Sequence, residues 1–391
     1  MKIACVLLSL LAVVCSASAG PIDAREIASI KAEIAKRAAG DEFSGAVLIC
    51  RGQHTWLEAA YNYANREDKV RNTPQTRFRF GSMGKMFTAV AIMQLIESGN
   101  VSLTDPISKF LPDYPNPEVA KVTVEQLLTH TAGTGDIFGP EFMEHRLELK
   151  ELSDYVQLYG KRGLRFAPGS QHEYSNYGFI LLGRIIETVS GQSYYDFVRE
   201  HVFEPAGMTS TDNLPENTQI ANLAVAYTHA ETLGPRTRGP GPGEGQGAGR
   251  GPGPGPGPGR PPSDNGPLRP ADDLLPYRGT SAGGGYTTVS DLAKFATALL
   301  NHQLVNPELT TLMTTGKVNT PNPGLKYAYG FEDETTPEGE RRIGHGGGAP
   351  GMNGLLWIYP TSNVFVVVLA NLDPPAAQDV GHFIAEQLAT K

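Results

Sequence analysis

Isoleucines 22, 27, 30 and 34 recur every three to five positions along Asp23 to Ala39, the spacing of one face of an amphipathic helix. Two short apolar or aromatic runs follow, Ser44 to Cys50 and Trp56 to Tyr63, joined through Arg51-Gly52-Gln53 as in a hairpin. After Phe78 and Phe80 the period changes. Met83, Phe87, Val90, Ala91, Gln94 and Leu95 describe a helical face that begins at or near Ser82 and stops at Gly99-Asn100. The chain to about Ala226 is mostly helical by pattern, most clearly at Val124 to Thr129, Leu147 to Leu158 and Tyr177 to Ser190. Ser290 to Leu300 reads as another helix, capped by Ser290 with Asp291 in its first turn. Strands return at Tyr329 to Glu332, Arg341 to His345, Gly354 to Tyr359 and Val364 to Ala370, before a closing helix over Ala376 to Ala389.

Strands at both ends and helices between them predict an α+β fold. One antiparallel sheet would be built from both chain ends and flanked by helices, with an all-helical region packed beside it. The α/β part would take about 20–80 and 285–391, and the helical part about 81–284. Gly234 to Pro262 stands apart, because Gly and Pro fill 21 of its 29 positions and leave nothing with which to build a core. Its Gly period is two where a collagen triple helix needs three, so a flexible surface insertion is expected. Arg236, Arg238, Arg250 and Arg260 within it leave a partner-binding role open.

The remaining composition narrows the class. With 391 residues, 40% hydrophobic and 19% charged, the chain can bury a full core. Its net charge of −8 argues against nucleic acid or an anionic membrane as partner. Lys2, an apolar run from Ile3 to Val14 and the small residues Ala17-Ser18-Ala19 read as a signal peptide over 1–19, hence a secreted or periplasmic protein. The run is too short to span a membrane, and Val14 before Cys15 fits poorly with a lipid-anchored reading. Of three cysteines, Cys5 and Cys15 would leave with the signal. Cys50 remains, unable to form an intramolecular disulfide and placed as a small buried strand residue.

Three clusters carry candidate chemistry. Ser82-Met83-Gly84-Lys85 sets a hydroxyl and an amine three apart at a helix start, where both share a face. A lysine kept neutral by desolvation can take the serine proton, and the helix N-terminus favours negative charge developing beside it. Read alone, the four residues are better described as a helix cap followed by a solvated lysine, because Ser-x-x-Lys arises by chance in most chains of this length. Tyr174-Ser175-Asn176 offers a phenol that can relay protons and an amide that can both donate and accept. His345-Gly346-Gly347-Gly348 ends a strand where absent side chains let a substrate approach the backbone. His345 there could orient a substrate carboxylate or pass protons.

In that order the three clusters resemble the serine β-lactamase and penicillin-binding protein superfamily, over nearly all of the mature chain. The likeness is closest to the class C β-lactamases and related esterases, D-Ala-D-Ala carboxypeptidases and D-aminopeptidases. Leu103-Thr104-Asp105-Pro106, Leu127 to Gly133 and Gly283-Gly284-Gly285-Tyr286 support it. The resemblance implies that Ser82 is the acylated nucleophile, Lys85 its base partner and Tyr174 the acid/base. Asn176 would touch the substrate amide. His345, Gly346 and Gly347 would line the substrate, and the N–H groups of Ser82 and Gly348 would form the oxyanion hole. His and Gly stand where the family commonly has Lys and Thr, which removes a cation and a hydroxyl that grip carboxylates and shifts the expectation from β-lactams towards esters and peptides.

Other classes fit less well. Phe80 stands where the first Gly of an α/β-hydrolase elbow belongs, and Gly81 to Lys85 lacks phosphate-loop spacing. No pattern supports a metal or cofactor, and His130, His145, His172, His201 and His302 are too scattered to nominate, reading as surface or structural. The expectation is a secreted serine hydrolase acting on a small-molecule or peptide ester or amide. Its rival is a non-catalytic binding or scaffold protein that keeps the same fold.

Overall fold

The computed structural model describes residues 23–230 and 266–389; the expected signal peptide and the Gly/Pro-rich insertion lie outside these residues. Fourteen strands and ten α-helices are formed among them. Eight strands make one antiparallel sheet: β1 (Gly45–Arg51), β2 (His54–Tyr61), β9 (Val318–Asn319), β10 (Leu325–Tyr327), β11 (Glu332–Thr335), β12 (Arg341–Ala349), β13 (Met352–Tyr359) and β14 (Val364–Ala370). Their order is β2-β1-β14-β13-β12-β11-β10-β9, so strands from the two parts of the chain pair as the second and third of the eight, with Val47 opposite Val368. Six shorter strands pair as β3 (Tyr63–Asn65) with β4 (Val70–Arg71), β5 (Phe78–Arg79) with β8 (Tyr286–Thr287) and β6 (Tyr227–Thr228) with β7 (Arg269–Pro270).

The run Val364 to Ala370 is apolar throughout because both faces of the sheet are covered. Val366 and Val368 point to one side, with Val47, Ile49 and Trp357. There they meet Ile30 and Ile34 of α1 (Ala24–Ala39) and Val380 and Ile384 of α10 (Ala376–Ala389). Val367 and Leu369 point to the other side with Leu48 and Leu356, into the larger core shared with the helices. Each such side chain contributes about 1.5–3 kcal/mol by leaving water, so a charge placed at Val367 would break the layer.

The helical region comprises α2 (Gly84–Glu97), α3 (Val124–Leu128), α4 (Pro140–His145), α5 (Leu152–Tyr159), α6 (Asn176–Ser190), α7 (Tyr194–Val198) and α9 (Pro307–Thr314), while α8 (Val289–Leu300) packs against β1 and β14 on this second face of the sheet. Helix α2 is buried on all sides from Gly84 to Met93, as an apolar helix at the centre of a bundle must be. Phe87 anchors it through edge-on contacts with Phe80, Phe203 and Phe295.

Three boundaries differ from the sequence expectation. Tyr329 to Glu332 falls mostly in the turn between β10 and β11, where Gly330 takes φ +69 and the Ala328 N–H donates to the Phe331 carbonyl. Helix α5 begins at Leu152 because Glu151 and Asp154 form a capping box there, leaving Leu147 exposed before it. Thr288, not Ser290, caps α8 by accepting from the Asp291 N–H. Cys50 is buried and unpaired in β1, where burial pushes its thiol up to about 12.

Candidate active site

Ser82 sits on a tight turn, Gly81–Met83, that leads straight into α2. Gly81 has φ +53, a conformation glycine adopts without cost, and a side chain there would come within 2.8 Å of the Gly348 amide nitrogen. A Cβ at Gly347 would fall 2.1 Å from the Phe80 carbonyl oxygen and 3.0 Å from the Ser82 nitrogen. The glycine run therefore continues β12 to Ala349 and lets its backbone lie against the serine turn. The N–H groups of Ser82 and Gly348 are brought together by the same close approach. On the opposite side the loop before β8 closes down, with the Gly284 N–H donating to the Gly81 carbonyl at 3.1 Å.

Lys85, one turn along α2, is fully buried. Its Nζ lies 2.6 Å from Asn176 Oδ1, 2.8 Å from the Ala282 carbonyl oxygen and 3.3 Å from Ser82 Oγ. Burial lowers its pKa from the ordinary 10.5 to about 7, against the pull of the Asp136 carboxylate, which favours the charged form. The first two partners can only accept from an amine. A neutral Lys85 spends its two N–H groups on them, and its lone pair is left for the Ser82 hydroxyl proton.

Tyr174 packs its ring 4.6 Å from Lys85 Nζ. Burial holds its phenol well above the ordinary 10, and the neighbouring Ser82 hydroxyl offsets this only in part. Among the described residues its hydroxyl completes no hydrogen bond. Asn176 opens α6 after Ser175, whose side chain caps the helix at the Gly178 N–H. The Asn176 amide is largely taken up within the protein: Oδ1 accepts from Lys85, and Nδ2 donates to Asp136 at 2.9 Å. Asp136 thus holds Asn176 and, through it, Lys85.

His345 is buried and uncharged. Its Nδ1–H donates to the Gly346 carbonyl, so Nε2 accepts from the Tyr327 hydroxyl at 3.0 Å. Burial and the Lys85 charge push its pKa down to about 3. With both nitrogens engaged, the ring offers a substrate carboxylate neither a cation nor a free donor, contrary to the role the sequence suggested for it. Gly346 lies against Gln378 of α10.

Ser82, Lys85, Tyr174 and Asn176 are brought together, with Gly347 and Gly348 alongside. Asp136, His130, Tyr327 and the Ala282 carbonyl complete the surroundings and were not singled out from sequence. His130 lay within a stretch that supported the resemblance, yet no spacing gave it a task.

Fold and site together define a serine hydrolase of the β-lactamase and penicillin-binding protein type. The β-lactamase family model matches residues 30–391, and the chain belongs to that family. A penicillin-binding protein from Bacillus halodurans superposes with a TM-score of 0.76 at 30% identity, covering 92% of this chain and 99% of that one. Penicillin-binding protein 4* of Bacillus subtilis (strain 168) is 27% identical over 343 residues, 84% of this chain and 68% of that protein. The D-amino acid amidase of Ochrobactrum anthropi SV3 shares the fold, with a TM-score of 0.72 at 23% identity, covering 93% of this chain and 97% of that one. Matches to other curated relatives are shorter and span 40% and 37% of those proteins' length.

Proposed function

We propose that the protein is an exported serine hydrolase that forms an acyl-enzyme on Ser82 and cleaves esters or amides that present no carboxylate beside the scissile bond. The observation that carries this is the contact of Ser82 Oγ with a buried Lys85 whose pKa is lowered to about 7. Lys85 takes the Ser82 proton as Oγ attacks the acyl carbon. The oxyanion that forms meets the N–H groups of Ser82 and Gly348, aimed where charge develops. Tyr174, held as a neutral phenol, relays the proton that Lys85 took from Ser82 to the leaving alcohol or amine; in deacylation Lys85, neutral again, draws a proton from the attacking water through Tyr174, and that proton returns to Ser82 Oγ as the acyl bond breaks. Asn176 keeps Lys85 in line, with one remaining Nδ2–H for a substrate carbonyl.

The neutral His345 decides among substrates. A site without a cation at this strand has little with which to hold the carboxylate of a β-lactam or of a peptide C-terminus, so esters and amides with an uncharged flank are favoured. The amidase among the fold relatives is compatible with this reading. Export follows from residues 1–19 and would place the mature enzyme outside the cytoplasm or in a periplasm.

The test is intact mass of the mature protein after incubation with a fluorophosphonate, an activated short-chain ester and a penicillin, each beside Ser82→Ala. Labelling that disappears in Ser82→Ala, with fast ester turnover and slow penicillin acylation, is the expected result. Absence of Ser82 labelling would overturn the hydrolase reading in favour of a binding protein. Rapid penicillin turnover would overturn the substrate preference. A mature mass that retains residues 1–19 would refute export by this signal.

A further inference from the structure

His130 follows α3 with φ +57, a left-handed conformation that disfavours any residue with a side chain and suits Gly or Asn best. The residue is 1% exposed and wraps the loop that carries Tyr174. Its carbonyl oxygen accepts the Glu173 N–H at 2.9 Å, and its Nδ1 accepts the Ser175 N–H at 3.1 Å. Its ring packs on Tyr174, with centroids 4.2 Å apart and planes tilted by 39°. One residue therefore fixes the backbone on both sides of Tyr174 and the face of the ring between them.

The Tyr174 hydroxyl lies beside the Ser82 hydroxyl but completes no hydrogen bond among the described residues, so its aim depends on how the ring is packed. Tyr327 and His345 touch the ring at centroid distances of 6.4 Å, further out than His130. Because Nδ1 accepts from a backbone N–H, the His130 proton must sit on Nε2. Burial, reinforced by the nearby Lys85, keeps the ring neutral and Nδ1 free to accept.

We propose that His130 is a positioning residue for Tyr174, setting the direction in which the phenol proton is delivered to the reacting atoms. The proposal rests on the Ser82 acyl-enzyme reading. A misplacement of about 1 Å in a proton-transferring group can cost roughly 100-fold in rate, which sets the size of the effect to look for.

Two variants separate positioning from mere folding. Asn at 130 tolerates the left-handed backbone and offers Oδ1 where Nδ1 stood; Gly tolerates the backbone better still but offers neither acceptor nor ring. His130→Asn is expected to keep kcat within about fivefold and His130→Gly to lose about 100-fold, both with KM changed by less than about threefold. In a Tyr174→Phe background the His130→Gly loss should vanish, because the group it aims is gone. Equal activity of the two variants, or additive losses with Tyr174→Phe, would overturn the proposal. Nitrogen-15 spectra of the wild-type enzyme give a reading that needs no variant to fold. The Nε2–H tautomer of His130 supports the arrangement, and an Nδ1–H tautomer refutes it. Fluorophosphonate labelling of wild-type Ser82 is measured in parallel. If it fails, the hydrolase reading falls; if it holds while the variants behave alike, only the role of His130 falls.

Discussion

The sharpest test of the site is its response to acid. Holding Lys85 at about 7 in place of its ordinary 10.5 corresponds to about 5 kcal/mol against the charged form at neutral pH and below. Only the neutral amine can take the Ser82 proton. About half of the enzyme is competent at pH 7, roughly a tenth at pH 6 and roughly a hundredth at pH 5. kcat/KM for a non-ionising ester should therefore rise about tenfold per pH unit below 7 and level off above it. His130, His172 and His345 are all pushed below the usual histidine range and cannot produce that limb. Glu332 can mimic it, because burial and Glu334 push its carboxyl up to about 7. Glu332→Gln must then leave the limb in place. The same shift appears in stability. The folded-state pKa lies below the unfolded one, so the penalty is full below about pH 7, shrinks as pH rises towards 10.5 and is absent above it. Wild type should gain stability relative to Lys85→Met across that window. A flat rate profile from pH 5 to 8, or a limb abolished by Glu332→Gln, would refute Lys85 as the base.

Other outcomes follow from the same geometry. Asp136 supports the charged form of Lys85, so Asp136→Asn should move the acid limb to lower pH; a move to higher pH would contradict its role. Gly347→Ala forces a methyl to within 2.1 Å of the Phe80 carbonyl and must push β12 off the Ser82 turn, lowering kcat about 100-fold and stability by about 1–3 kcal/mol; normal acylation rates would show that the two backbones need not touch. The chain leaves and re-enters the described fold at neighbouring points, with His229 Nδ1 2.8 Å from the Gly266 carbonyl oxygen and the Arg269 guanidinium 3.0 Å from that of Ala230. Replacing residues 231–265 with a short Gly/Ser turn should shift the melting temperature by less than about 3 °C, as scanning calorimetry would reveal.

The sequence carried the sheet well wherever burial imposes continuous apolar runs, as at Val364 to Ala370, and it located α1 through its isoleucine spacing. It misplaced the strand at Tyr329 because Tyr-Ala-Tyr-Gly-Phe is as aromatic as a strand, while the left-handed Gly330 turns it back on itself. Ser82, Lys85, Tyr174 and Asn176 were legible because helix periodicity and short motifs set them close in the chain. Asp136 and the Ala282 carbonyl were not, since only tertiary packing brings them to Asn176 and Lys85. The protonation state of His345 was equally hidden. It depends on Tyr327 and on the depth of burial, neither of which leaves a local pattern.

The pairing of β1 with β14 also bears on how the molecule is made. These strands lie nearly the whole chain apart, yet they are paired neighbours within the sheet. While the ribosome is still at work, β1 and β2 can form at most a two-stranded hairpin, which is marginal in water. The apolar edge of β1 stays open until Val364 to Ala370 has been synthesised. Completion of the core is therefore a late event dominated by long-range contacts and intrinsically slow. The sheet therefore closes only after nearly all of the chain has been made.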